Sequence, residues 1–305
     1  MRGLLRQFGR AGAHACGALA FRSRAVNPYL LVVGLSLGFA IGFLAFKFRL
    51  SGHRRTPWLA EFHIFLPTAT VPTQDDVMDR LIRSNPFKPG GKPAIVPLDG
   101  LFFSDVRLNI SVATRERNPN AFLWRGYTEP LRPEIEKSLV DAERFVIARY
   151  ASEKPMKDLR YLHFLLHLCA AYLELGNGSC VYDAVSERFW SRDELTEFLA
   201  TTLDSSTEEA HVWRGWTEGE TGGWYATRGL RKVGQWDLAT PTSPRDHEFL
   251  ITQLMTELVS KVWQERTMPE KLQLEAYGDQ FFVSIWPRKR ENLVRIMRAQ
   301  EKTAP

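Results

Sequence analysis

The sequence predicts an α+β fold: one transmembrane helix near the N-terminus, followed by a mostly antiparallel sheet packed with helices. Three observations predict it. Residues 25–46 carry no charge. Beyond them, segments with a period of two and segments with helical spacing alternate irregularly, and at least one pair of strands is joined as a hairpin by a Gly-containing turn. Regular βαβ alternation, which would mark a doubly wound sheet, is missing. With 44% hydrophobic and 25% charged residues over 305 positions, collagen-like, disordered and coiled-coil chains are excluded.

The organisation read from these patterns is a basic tail (1–26), a transmembrane helix (27–48), a juxtamembrane linker (49–58) and an α+β domain (59–305). A sub-boundary is placed in the Pro/Gly-rich stretch 85–100. Residues 1–60 hold nine Lys/Arg and no Asp or Glu, so residues 61–305 hold 31 against 35, a balance of −4. Positive charge therefore flanks the apolar run, and the folded part lacks the basic surface of a nucleic-acid binder.

The apolar run is long enough to span a bilayer. Its 18–22 residues rise roughly 27–33 Å as a helix, against a hydrocarbon core of about 30 Å. Asn27-Pro28 marks its start, and Lys47, Arg49, Arg54 and Arg55 close it. Phe-Lys-Phe follows the run, where a cleaved signal peptide would show small residues. Gly34, Gly38 and Gly42 are four apart and share one face, a groove for a second copy or a partner helix. The expected location is a membrane, the bacterial inner membrane first, with the lipid bilayer itself as one partner. The arginine-rich, acid-free tail 1–26 also fits a mitochondrial presequence, which makes the mitochondrial inner membrane the alternative.

Within the domain, residues 59–66 read as a strand and 74–82 as a helix behind Asp75-Asp76. Residues 85–100 contain four Pro and three Gly and read as a surface loop. Gly90-Gly91-Lys92 there lacks the earlier Gly and the Ser/Thr of a phosphate loop. Residues 101–113 alternate as one strand, 134–142 as a helix and 144–151 as a strand. A helix from Pro155 to about Leu175 is closed by Gly176-Asn177-Gly178. Residues 180–184 form a short strand, and Ser191-x-x-Glu194 is a capping box for a helix to about Thr202. Residues 211–216 and 224–227 read as a hairpin with a Gly-rich turn. Ser243-Pro244 opens an amphipathic helix, 272–286 is a hairpin turning at Gly278-Asp279, and a basic amphipathic helix over 290–298 ends the chain.

Each candidate for chemistry has a structural explanation beside it. His163 and His167 lie one helical turn apart with Glu174 on the same stripe, the spacing of a metal-chelating helix. The helix is otherwise almost wholly apolar, and Phe164 stands where a zinc protease has its Glu. A core helix with hydrogen-bonded histidines is therefore expected, with no metal and no cofactor. Cys169 and Cys180 read as structural thiols, having no electropositive neighbour. Glu208, Glu209, Glu218 and Glu220 supply carboxylates that sequence alone cannot pair. Trp213, Trp216, Trp224 and Arg228 are the candidates for a binding platform, with core packing between hairpin strands as the preferred explanation. Trp213 and Trp224 are expected to face each other.

The stretch Thr227-Arg228-Gly229-Leu230-Arg231-Lys232-Val233-Gly234-Gln235-Trp236-Asp237-Leu238 resembles a T-R-G-[LM]-x-K-x-G-x-x-[DE]-[LF] pattern in several bacterial domains of unknown function. The resemblance extends loosely over 180–238 and carries no activity. The residues themselves suggest a turn bracketed by Gly229 and Gly234, with Arg228 paired to Asp237. The functional expectation is a membrane-anchored, non-catalytic interaction or binding domain. A membrane-tethered hydrolase using the Trp/Arg/Glu region, or a subunit of a membrane complex, is the alternative.

Overall fold

The structure is a computed structural model, and it describes residues 57–68, 70–84, 93–96, 100–103, 106–122, 131–219, 222–243, 247–288 and 291–299. The expected basic tail, the transmembrane helix with its three glycines, and nearly all of the linker lie outside the described residues. Among those described, no helix is long and apolar enough to cross a membrane. Residues 55–305 form one compact unit.

The first sheet is organised around β1 (Trp58–Leu66), whose alternation sends Trp58, Ala60, Phe62, Ile64 and Leu66 into the main core. Glu61 and His63 point to the other face, half-buried. β1 lies between β5 (Arg144–Ser152) and β6 (Cys180–Asp183), antiparallel to both. Outside β5 come β4 (Val106–Thr114), β3 (Gly100–Phe103) and β2 (Pro93–Val96); outside β6 comes β7 (Arg188–Ser191). The stretch read as a loop over 85–100 thus contributes an edge strand. Pro93 is tolerated there because an edge strand leaves one row of N–H groups unpaired in any case. The single strand expected over 101–113 is a hairpin of β3 and β4.

Helix α1 (Gln74–Ser84) carries Asp75 and Asp76 in its first turn and Arg83 in its last, as the helix dipole favours. Helix α2 (Pro133–Asp141) and a 3-10 turn (Pro119–Phe122) cover part of the outer face of the first sheet. There Phe122, Ile135 and Leu139 pack on Phe65, Phe145 and Cys180 in a satellite core. Helix α3 (Arg160–Leu175) lies on the inner face, with eleven of its sixteen residues buried. It begins at Arg160 rather than Pro155, because Asp158 accepts the Arg160 N–H at 3.1 Å and forms the turn into the helix. Helix α4 (Arg192–Thr201) has both bonds of the expected capping box, and Arg132 clasps the same Glu194.

The short helix α5 (Glu208–His211) leads into a second sheet in the order β11 (Lys271–Ala276), β12 (Asp279–Pro287), β13 (Glu291–Arg298), β10 (Asp237–Ala239), β9 (Gly222–Arg228), β8 (Trp213–Gly219). All its pairings are antiparallel except β10 with β13. Two mostly antiparallel sheets thus replace the single one expected. Helix α6 (Glu248–Glu265) packs Ile251, Leu254, Met255, Leu258 and Val262 into the core shared with the first sheet. It starts after the Ser243-Pro244 signal because the Ser243 backbone is committed to a bridge with Gly223.

The largest correction is the last element, a strand and not a helix. In β13 the apolar pairs Leu293-Val294 and Ile296-Met297 fit a helical period as well as a strand period. Pairing with β12 and β10 decides for the strand, burying Asn292 and Val294 inward. The β11–β12 hairpin turns at Tyr277-Gly278, both at positive φ, one residue before the expected position.

Candidate functional site

Thr227, Leu230, Lys232, Asp237 and Leu238 of the Thr227–Leu238 stretch are joined in a buried hydrogen-bonded interior. The Thr227 hydroxyl accepts the Leu238 N–H at 2.8 Å and donates to Asp237 Oδ1 at 3.4 Å. Asp237 Oδ1 also accepts the Leu230 N–H at 3.0 Å. Burial pushes the Asp237 carboxyl up to about 7, against the opposing pull of those hydrogen bonds and of nearby Arg228 and Arg231. Arg228 donates to the Thr227 carbonyl and reaches Glu187 and Glu291 at 3.9 and 3.7 Å. The expected Arg228–Asp237 pair is thus replaced by two carboxylates from other segments. Gly234, at φ 72°, passes so close to the Trp58 indole that a Cβ would stand 2.3 Å from Nε1.

Lys232 is the residue that sequence reasoning passed over. It sits in a 3-10 turn (Leu230–Val233) and is fully buried, as are Asp183 at the end of β6 and His211 at the end of α5. Its Nζ donates to Asp183 Oδ2, to His211 O at 3.0 Å and toward His211 Nδ1 at 3.2 Å. Asp183 Oδ1 accepts the N–H groups of Val185 and Ser186. His211 Nε2 meets the Ser205 carbonyl at 2.9 Å, and the Ser205 N–H in turn donates to His163 Nδ1 at 2.9 Å. Burial drives the His211 ring well below its ordinary range, so it is neutral. The only advance signal was a Lys between two glycines in a segment otherwise turning toward the core.

Of the three metal candidates, His163 and His167 stay adjacent while Glu174 is drawn away. His163 Nδ1 is taken by Ser205, Glu174 turns to Arg80 at 2.7 Å, and the His167 ring lies tilted at 58° to that of His163 with centroids 4.6 Å apart. Burial brings His167 down to about 4. Among the described residues no group of three His, Cys, Asp or Glu has the geometry of a metal site. Cys169 and Cys180 are buried, and burial raises both thiols, Cys180 to about 12, so neither is a nucleophile near neutral pH.

The four platform candidates divide between the two faces of the second sheet. Trp216 faces inward, packs on the core, meets Tyr225 edge-on and donates to Thr252 Oγ1 at 3.0 Å. Trp213 is paired with Arg228, and Trp224 with Thr217. Trp213 and Trp224 are therefore not opposite one another, yet both share the outward face with Arg228. The Trp213 indole lies across Gly215, where a Cβ would stand 2.6 Å from the ring. Gly215, Ala226 and Ala239 form a row of small residues across three strands. The row continues to Leu293 of β13 and to Trp286 of β12, which is 59% exposed; Ser284 and Arg295 lie beside it, and Phe282 and Met297 come one pair further along the same face. The outward face thus sets half-buried Trp213, Trp224 and Leu293 and exposed Trp286 around buried Ala226 and Ala239, with Arg295 among them and the Arg228–Glu187–Glu291 cluster on one side.

Lys232, Asp183 and His211 are closed off inside, whereas Arg228, Glu187 and Glu291 are partly exposed. The chain matches no family model, no curated protein and no solved structure.

Proposed function

We propose that the protein is a single-pass membrane protein whose 59–305 domain is a non-catalytic binding module. The helix over 27–48 tethers it, and the outward face of the second sheet receives a protein partner. The observation that carries this reading is the placement of half-buried Trp213, Trp224 and Leu293 and exposed Trp286 on one sheet face beside Arg228. Aromatic residues and arginine are enriched in interface cores, where they supply large contact areas at modest entropic cost. Exposed apolar surface of this kind is otherwise avoided, because it promotes aggregation. The closed interior supports the non-catalytic half of the reading, since Lys232, Asp183 and His211 have no accessible surface.

Photo-crosslinking in intact cells tests it. A photoreactive residue at Trp286 gives a discrete adduct of higher mass. The same residue at Val140, 70% exposed on α2 over the other sheet, gives none. No adduct at 286 with the protein correctly folded and membrane-bound overturns the reading.

A further inference from the structure

We infer that Lys232 and Asp183 condense to an intramolecular isopeptide bond, with His211 as the base. The geometry contains each group that amide formation requires. The nucleophile, Lys232 Nζ, is in hydrogen-bond contact with the Asp183 carboxyl group, and neither residue has any exposed surface. The Phe62 ring lies 5.2 Å from Nζ, in an apolar jacket that keeps water away from the pair.

The tautomer of His211 is set by its partners. The Ser205 carbonyl only accepts, so Nε2 carries the ring proton and Nδ1 presents its lone pair to Lys232 Nζ, 3.2 Å away. Asp183 Oδ1 is held between the Val185 and Ser186 N–H groups at 3.1 and 3.2 Å. Two backbone donors on one carboxyl oxygen form a ready oxyanion site for a tetrahedral intermediate.

The step balances without a co-reactant. A proton passes within the pair from ammonium to carboxylate, leaving a neutral amine and a neutral acid. Burial disfavours the charged form of Lys232 and assists this transfer. The amine lone pair attacks Asp183 Cγ, His211 Nδ1 takes a proton from the nitrogen, and negative charge collects on Oδ1. The intermediate collapses as the imidazolium returns its proton to Oδ2, which leaves as water. An Nζ–Cγ amide and one water molecule are the products. Fixed neighbours react with effective molarities of about 10⁵–10⁸ M, which lowers the barrier to attack, and a site without exposed surface disfavours the return of water for hydrolysis. The bond ties β6 of the first sheet to the turn that enters β10 of the second, 49 residues apart in sequence.

Peptide mapping of the full-length protein extracted from membranes tests it. Trypsin does not cut after an acylated lysine. The expected product is one cross-linked species joining peptides 161–188 and 232–245, lighter than their sum by one water. Lys232→Met abolishes it, and His211→Gln leaves a substantial fraction of chains unbonded. Recovery from wild-type protein of separate, unmodified 161–188 and 233–245 peptides, with Lys232 cleaved normally, overturns the proposal and leaves a buried ion pair.

Discussion

The carbonyl oxygen of His211 stands 2.2 Å from where a Cβ on Gly229 would lie. That same oxygen accepts from Lys232 Nζ at 3.0 Å, so the backbone at Gly229 passes against the acceptor that satisfies the buried lysine. Gly229 also has φ 123°, a conformation that side-chain-bearing residues seldom adopt. Gly229→Ala therefore meets a backbone clash and backbone strain together. The expected loss is about 3 kcal/mol or more, which for a domain of this size lowers Tm by roughly 6–12 °C. Differential scanning fluorimetry reads it, and a Tm within 2–3 °C of wild type, roughly the effect of 1 kcal/mol, would show that the turn relaxes away from His211.

Asp237 makes stability depend on pH in an unusual direction. Its folded-state carboxyl titrates at about 7, whereas the unfolded chain has its ordinary value of 3.8. Between those values the unfolded state has released a proton that the folded state still holds, so stability falls as pH rises from about 4 to about 7 and is level above. The loss is a few kcal/mol at most, at about 1.4 kcal/mol per pKa unit. Asp237→Asn keeps an acceptor for the Leu230 N–H and removes the titration. Urea midpoints across this range should show the variant gaining on wild type as pH rises, and parallel curves would refute the buried neutral acid.

The glycine face of the proposed membrane helix yields a separate expectation. Gly34, Gly38 and Gly42 permit close backbone approach, and Gly38→Ile holds two helices apart. Self-association of the isolated span in a membrane reporter assay should fall several-fold. An unchanged signal would reduce the glycines to composition.

Local signals were legible where side chains bond to their own segment. Ser191 and Glu194 announce a capping box and make one. The strand at 58–66, the helix at 74–84 and the hairpins at 213–228 and 271–287 follow from period and turn residues. What failed depended on distant partners. Glu291–Arg298 carries an ambiguous period, and only β10 and β12, from other parts of the chain, decide it. The platform residues were identified without their faces, because alternation says that Trp213 and Trp216 diverge but not which one meets the core. Lys232, Asp183 and His211 are far apart in sequence and share no spacing rule, so their buried cluster had no signature.

The division of the tryptophans between faces makes the last prediction a comparison. If Trp224 were a core aromatic packed between strands, Trp224→Ala would remove about 3–5 kcal/mol. Its half-buried place on the outward face, opposite Thr217, lowers that to about 1 kcal/mol. Trp216 takes over the large value: it packs on the core, meets Tyr225 edge-on and is tied to α6 through Thr252. Trp216→Ala should therefore unfold or nearly unfold a domain whose total stability is about 5–15 kcal/mol. Trp224→Ala and Trp286→Ala should keep near-native melting temperatures, because their rings contribute contact area to the surface and little to the interior. Chemical denaturation of the three variants side by side separates the cases. A loss for Trp224→Ala equal to that for Trp216→Ala would place the outward ring in a core of its own and remove it from the binding face.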